Sequence, residues 1–600
     1  MKKITLYLLF LISSLGEIKA TKINASTFGY NATDATTAFQ NAIQSSYDTI
    51  VVNYTGTGSW IVQPCSFSDL SNKTIIFQNN VQLVAKVGAF SNTGDCLFRL
   101  IRATNIKIWG YGATFKMQKS EYTTGEWRHA LSICNSNSIS VKGLTLKDSG
   151  GDGIYVSGET WFGTQLYSNN VTILDCISDN NRRQGMSVVS AQNLTVENCT
   201  FKNTIGTAPE AGLDLEPDNP QHRIVNILFK NCTFNNNNGK GIQLSLNFLD
   251  ATSLPVSATF NNCYLTSNYT TTNAYEPGEI SANSATTNFP TGLVTFNNCT
   301  VENSQWSAFA SRKQADSYQV VFNNSHFKNV SQTQQAYNTP IWLEVCDYSN
   351  PNPAFGGVAF NNVCIEFTTQ FAFLHANGWA TSTGLKNVTG NLGVINSYQL
   401  APVYSNVASQ NNVTFTYAQG CASVLAVEYL EPLSAESIAQ GVLLHWATAT
   451  ERNNAFFDLE RSKNGIDFEK IVTINGKNKY NKTEQYSFLD KNYFENQNYY
   501  RLRQTDTDGH FEYSNIVVVN KEAKTKITIS PNPIDDVLKI NIFNEKIENA
   551  IILNANGQIV KSVQKIENSE INVQDLPKGI YFLELKTEHQ NNAAIKFIKI

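Results

Sequence analysis

From about residue 60 to residue 420, apolar and polar positions alternate in short runs that recur every few tens of residues, with no helical periodicity. One run is of the type NLTVENCTF and ends in a cysteine phrase: LDC at Cys176, ENC at Cys199, KNC at Cys232, NNC at Cys263, NNC at Cys299 and NVC at Cys364. Asn80, Gly110, Gly143 and Ser325 extend the same slot, so that successive slots lie 23 to 39 residues apart. A second run is led by glycine: GIYV from Gly153, GMSVV from Gly185, GLDLE from Gly212 and GIQLSL from Gly241. Short strands returning at this interval predict a β-solenoid, in which each coil buries its apolar face only against its neighbours. A third strand per coil makes it a parallel β-helix.

The turns between strands, such as SDNNRRQ and FNNNNGK, are rich in Asn, which tolerates a left-handed backbone and can stack its amides along the axis. Eleven cysteines cannot all pair within the chain, and their fixed place in the repeat reads as stacked core thiols rather than bridges. Beyond Cys421 the strands lengthen (GVLLHWAT, FFDLERS, NYYRLRQTDTDG, SNIVVV), predicting a β-sandwich over residues 425–520 with Trp446 and Tyr500 in its core. At the other end, Lys2 and Lys3 precede the apolar stretch Ile4 to Leu15, the layout of a signal peptide over residues 1–20, with the mature chain starting near Thr21. No other segment approaches the length of a membrane span.

Three stretches carry family resemblances. STFGYNATDATTAFQNAI, through Phe28, Gly29, Asp34, Thr36, Phe39, Gln40 and Ile43, resembles the N-terminal cap of the pectate lyase superfamily. That implies a right-handed parallel β-helix over residues 21–420, its open end plugged by a short amphipathic helix. The sandwich, through Ser462, Gly465, Tyr500, Arg501, Leu502, Asp506 and Gly509, resembles fibronectin-like spacer modules of secreted Bacteroidetes enzymes. Residues 527–600 resemble the type IX secretion sorting domain at Pro531, Asn532, Pro533, Asn556, Gly557, Leu576, Gly579, Ile580, Tyr581 and Lys596. The expected fold is therefore all-β, a β-helix followed by two small sandwiches. The expected location is outside the cell or attached to its surface.

Composition narrows the function. A net charge of -4 with no long basic run excludes a nucleic-acid binder, and 34 Phe, 25 Tyr and 8 Trp exclude a disordered chain. Only 16% of residues are charged, so a local concentration of charge is informative. Alternation along the glycine-led strands sends Ile154, Met186, Leu213 and Ile242 inward and Tyr155, Ser187, Asp214 and Gln243 outward, with Glu216 on the same outer face. Leu131 aligns with Met186, which places Arg128 on the row of Gly151, Arg183 and Glu210, and His129 on the row of Asp152, Gln184 and Lys240. Arg182 flanks them. One strip thus collects Arg128, His129, Asp152, Arg182, Arg183, Gln184, Glu210, Asp214, Glu216 and Lys240, with Trp127, Tyr155, Trp161 and Phe162 at its margins.

Glycoside hydrolysis needs one protonated and one ionised carboxyl group, and Asp214 and Glu216, two residues apart and both expected to face solvent, form the leading pair with Asp152 as third candidate. Arg128, His129, Tyr155, Arg182, Arg183, Gln184, Glu210, Lys240 and Gln243 are the expected substrate contacts. The polygalacturonase pattern is absent, since GGDGI at Asp152 matches only a fragment of it. Elimination from, or epimerisation of, a uronic-acid polymer is the alternative chemistry, with Arg183, Lys240 or His129 neutralising a carboxylate or Ca²⁺ held by Asp214, Glu216 and Asp218. A hydrolase needs no cofactor. A non-catalytic glycan-binding adhesin is the reading from another class. The expected partners are a polysaccharide and the type IX machinery, and the chain is expected to act as a monomer.

Overall fold

The computed structural model describes residues 22–269 and most of 278–421 and 428–600; the leader at residues 1–20 and Cys346 lie outside the described residues. Each coil contributes three strands, as in Met186–Val188, Ala191–Glu197 and Thr200–Lys202. The glycine-led strands form one sheet of twelve, and the other two sets run together in a second, larger sheet. Their pairing is parallel throughout. This is the right-handed parallel β-helix expected from the repeat, the hand that parallel crossovers adopt almost without exception.

Inward positions fill the bore with Ile, Leu, Val and Phe. Phe229, Phe260, Phe296, Phe322 and Phe360 stack ring on ring over four coil steps, with centroids 4.6 to 5.5 Å apart. Beside them Cys176, Cys199, Cys232, Cys263 and Cys299 stand in register as buried free thiols. The residue before each thiol is left-handed: Asp175, Asn198, Asn231, Asn262 and Asn298 have φ between 52° and 54°. Their side chains form a second ladder, Asn198 to Asp175 at 3.1 Å, Asn231 to Asn198 at 3.3 Å, Asn262 to Asn231 at 3.2 Å and Asn298 to Asn262 at 3.2 Å. A left-handed corner costs Asn less than other side chains, and the next amide rewards it with a hydrogen bond.

This corner corrects the slot assignments at both ends of the repeat. The register places Val81, Ala113 and Leu144 in the thiol row, not Asn80, Gly110 and Gly143. Asn80 and Gly143 are left-handed corner residues, and Gly110 enters a bulge before the left-handed Gly112. Cys364 is likewise one residue out of row: it pairs with His326, so Val363 lies level with Ser325. Freed from the ladder, Cys364 forms a disulfide with Cys421, 57 residues on, so the expectation of stacked thiols alone fails there.

The helix Thr36–Gln44 closes the first coil, burying Ala38, Phe39, Ala42 and Ile43. Phe39 meets Trp60, Phe67, Phe77 and Phe98 at 6.0 to 6.3 Å. Asp34, one residue before the N-cap Ala35, accepts from the Thr36 amide and pairs with Lys86 at 2.7 Å. The other end is different: the last wound strand, Val407–Gln419, pairs on one side with Thr383–Ile395 and is largely exposed. Downstream, sheets of three and five strands enclose Trp446 and Tyr500, both buried, and sheets of three and four strands enclose Leu538, Ile552, Leu583 and Phe597. Among the described residues no helix is long and apolar enough to cross a membrane.

Candidate active site

The strip lies on the outer face of the twelve-stranded sheet, and its register matches the sequence alignment. Leu131, Ile154, Met186, Leu213 and Ile242 pair in sequence, which sets Ser132, Tyr155, Ser187, Asp214 and Gln243 in one outward row. Backbone bonds extend the rows beyond the strands: the Ala130 amide to Asp152 O at 3.1 Å, the Gly153 amide to Gln184 O at 3.1 Å and the Gly212 amide to Lys240 O at 2.8 Å. His129, Asp152, Gln184 and Lys240 are thereby on one level, neighbouring coils being roughly 4.8 Å apart.

Arg183 organises the cluster. It is rooted before the strand Met186–Val188, yet its guanidinium reaches Glu216, which follows the next strand of the sheet, at 2.6 and 2.8 Å. Its Nε donates to Glu126 at 3.0 Å, and Nη1 stands 3.8 Å from Asp152. The side chain therefore ties together the loops that enter and leave the sheet. Burial opposes its charge, but Glu216, Asp152 and Asp214 outweigh burial and raise its pKa further.

Asp214 does not face solvent as its alternation predicts: it is only 1% exposed. Gln184 and Gln243 each donate to its Oδ2 at 3.0 Å, while Oδ1 has no hydrogen-bond partner. Burial pushes its pKa well above the usual carboxylate range, and Glu216 adds to the shift while Arg183 opposes it. Asp152 is fully buried as well, and burial raises it to about 8 against the pull of Arg183. Neither of its oxygens has a hydrogen-bond partner at good geometry, although Ser187 stands close enough to pull the pKa down somewhat. The reason is crowding along the ladder: side chains one coil apart lie over one another, so an outward residue beneath Arg183 and two glutamines is dry.

His129 stacks on Tyr155 at 4.3 Å, and its Nδ1 accepts the Asp152 amide at 3.0 Å, leaving the ring proton on Nε2. Burial, then Arg99 and Arg183, hold its pKa well below the usual value, so the ring is neutral. Tyr155 donates to Glu159 at 2.5 Å. The other arginines have structural partners. Arg128 donates to Phe90 O, Thr124 O and Ser91 O, and Arg182 to Gly125 O and Thr123 O, so both pin the loop that carries Trp127. Glu210 turns away into its own corner, accepting from the Gly206 amide and Asn238.

Four residues outside the aligned strip belong to the same constellation. Arg99 continues the outward row one coil earlier, beside Ser132. Glu126 and Glu159 lie in loops whose lengths the repeat does not dictate. Asp218, two residues past Glu216, is exposed as a residue, while partial shielding of its carboxyl, with Glu216 and Glu159 adding to it, raises its pKa to about 6. A Ca²⁺ site at Asp214, Glu216 and Asp218 does not fit: Asp214 is buried with its Oδ2 held by Gln184 and Gln243, and among the described residues no three acidic, His or Cys groups converge for a metal. Trp127 and Trp161 lie at the margins, 55% and 74% exposed, Trp161 meeting Phe162 edge-on at 6.0 Å.

Residues 112–282 match the family of right handed beta helix regions, and residues 528–600 match the secretion system C-terminal sorting domain. The chain carries a β-helix body and a type IX sorting tail. It is exported through that system to the cell surface or extracellular space. No curated protein matches by sequence. Similar solved structures include a tailspike protein of Acinetobacter baumannii bacteriophage Fri1, a capsular polysaccharide depolymerase (10% identity, 97% of this chain, 88% of that chain, TM-score 0.35). A putative glycosyl hydrolase of Parabacteroides merdae (13%, 41% and 95%, 0.24) and a mannuronan C-5 epimerase module of Azotobacter vinelandii (12%, 66% and 98%, 0.32) are others.

Proposed function

We propose that the protein is a secreted polysaccharide hydrolase acting at the Arg183 cluster. The observation that carries this reading is the graded set of carboxyl groups around one guanidinium: Asp152 and Asp214 buried and protonated, Glu216 gripped by Arg183, and Asp218 exposed with its pKa raised to about 6. Hydrolysis of a glycosidic bond requires a carboxylic acid that can donate a proton and a carboxylate that activates water or attacks carbon. Asp218 is assigned the donor role, because it is accessible and Asp214 is not. Glu216 is the carboxylate. Asp214 and Asp152 form the neutral layer beneath, so that the cluster gathers several acids without assembling as many charges. Trp127 and Trp161 offer exposed ring faces to sugar rings at the margins.

The test is incubation of purified protein with a broad polysaccharide panel. New reducing ends without ultraviolet-absorbing unsaturated ends support hydrolysis. Unsaturated ends mark elimination instead, and binding without any cleavage supports the adhesin reading.

A further inference from the structure

We infer that the sandwich over residues 425–520 is a brace fastened to the wall of the β-helix, and that the clasp is the pair Tyr111 and Tyr499. Neighbouring domains swing about their linker unless an apolar interface holds them. Tyr500 and Leu502 enter the sandwich core, so alternation puts Tyr499 on the opposite surface, yet it is only 7% exposed. Tyr111 belongs to the wall and not to the packed bore, and it is 8% exposed. Their rings meet edge to face, with centroids 5.3 Å apart.

The strand that carries Tyr111 is built to present it. Where the next coil has Gly143 alone, Thr104–Lys116 bulges with Gly110, Tyr111 and Gly112. The ring lies over Gly143, where a β-carbon would stand 2.4 Å from it, and its hydroxyl reaches one coil further to donate to Asp175 at 2.5 Å. In the corner ladder Asp175 stands where the following coils have Asn, and its carboxylate accepts from the phenol as well as from Asn198. From the other side comes Gly465, in the left-handed turn (φ 71°) after Asn454–Ser462, where a β-carbon would lie 3.1 Å from the Tyr111 ring. A glycine lets the turn approach this closely while holding that backbone.

The clasp reverses the course of the chain. Ten coil steps, roughly 48 Å at 4.8 Å each, separate the Tyr111 strand from Val407–Gln419, the last wound strand. The sandwich thus runs back along the wall. Its final strand, Val517–Lys521, sets Val518 beside Tyr499 and Lys521 beside Asn496, so the chain leaves roughly 10 Å from the clasp and the sorting tail departs beside the N-terminal coils. The corner that carries Tyr111 lies between the second and third strands of a coil, and the Arg183 cluster is on the face of the first, which the brace leaves uncovered.

The experiment uses the full chain. Small-angle scattering gives its maximum dimension, and nitration of tyrosines by tetranitromethane, read by mass spectrometry, gives their access, with the exposed Tyr54 as reference. A compact particle in which Tyr499 reacts at least 10-fold more slowly than Tyr54 is the expected result. Tyr499→Arg, a change outside the sandwich core, should keep the circular dichroism of the wild type and lengthen the particle by roughly 30 Å, the length of a sandwich strand, as the sandwich swings out. Tyr111→Ala should make Tyr499 reactive. A wild-type particle already extended, a Tyr499 as reactive as Tyr54, a Tyr499→Arg chain that stays folded and compact, or a Tyr499 still protected in folded Tyr111→Ala each overturns the brace.

Discussion

Arg183 crosses the outer face of the sheet to meet Glu216 in two parallel hydrogen bonds, at 2.6 and 2.8 Å, from a root on the preceding coil. A lysine carries the same charge but cannot form the two-pronged bond or hold Glu126 at the same time. Arg183→Lys is expected to stay folded and lose about 100-fold in kcat. Arg183→Met leaves the carboxyl groups without their shared partner and costs about 3 kcal/mol of stability in denaturant unfolding. Full activity in Arg183→Lys would remove Arg183 from the site.

Asp218 and Asp214 separate the accessible donor from the buried layer. Asp218→Asn is expected to lower kcat by about 10² to 10⁴, the range of general acid catalysis. Because a donor must be protonated, wild-type activity should fall as pH rises through about 6, and that limb should vanish in the variant. Asp214→Asn, which keeps a neutral side chain at a position already protonated, is expected to retain most activity. Its complete inactivation would restore Asp214 as the donor.

Asp152 sets a pH dependence of stability. Its pKa rises from 3.8 to about 8 on folding, so the native state holds a proton that the unfolded chain releases. The stabilisation is fully present below the unfolded value and is lost as pH rises from about 4 toward 8. Asp152→Asn should flatten this decline in a urea-unfolding series, and an unchanged slope would contradict the buried protonated acid.

Asn231 tests the left-handed corner. Its φ is 53°, and its side chain bridges Asn198 and Asn262. Asn231→Ala is expected to cost about 1 to 2 kcal/mol, while Asn231→Gly recovers the backbone part of that loss. Equal losses in both variants would assign the whole effect to the amide ladder.

The disulfide offers the last test. Cys421→Ser is expected to cost about 2 to 4 kcal/mol by releasing the loop it closes. In the native protein the ladder thiols at Cys176, Cys199, Cys232, Cys263 and Cys299 should stay unreactive to thiol reagents until the chain unfolds, as they are buried.

Much of this was legible because the repeat is enforced twice, by apolar alternation and by the Asn-Cys corner. The alignment of Leu131 with Met186, read from the sequence, is the register observed, and it assembled Asp152, Arg183 and Asp214 correctly. It failed where a corner and a slot residue look alike: Gly143 is the corner, and Leu144, an ordinary core residue, fills the slot. Alternation gives direction but not exposure, and so Asp214 was expected in solvent when two glutamines and an arginine lie over it. Glu126 and Glu159 were out of reach because loops between strands have no period, whereas Arg99 was one further coil along the same ladder.

The two ends of the β-helix are unlike. At one, Phe39 and its helix occupy the bore; at the other, Val407–Gln419 presents a strand edge with backbone groups on its far side. Edges of this kind can recruit further strands, so the two poles differ in kind: one is sealed by apolar packing, and the other turns backbone hydrogen-bonding groups outward.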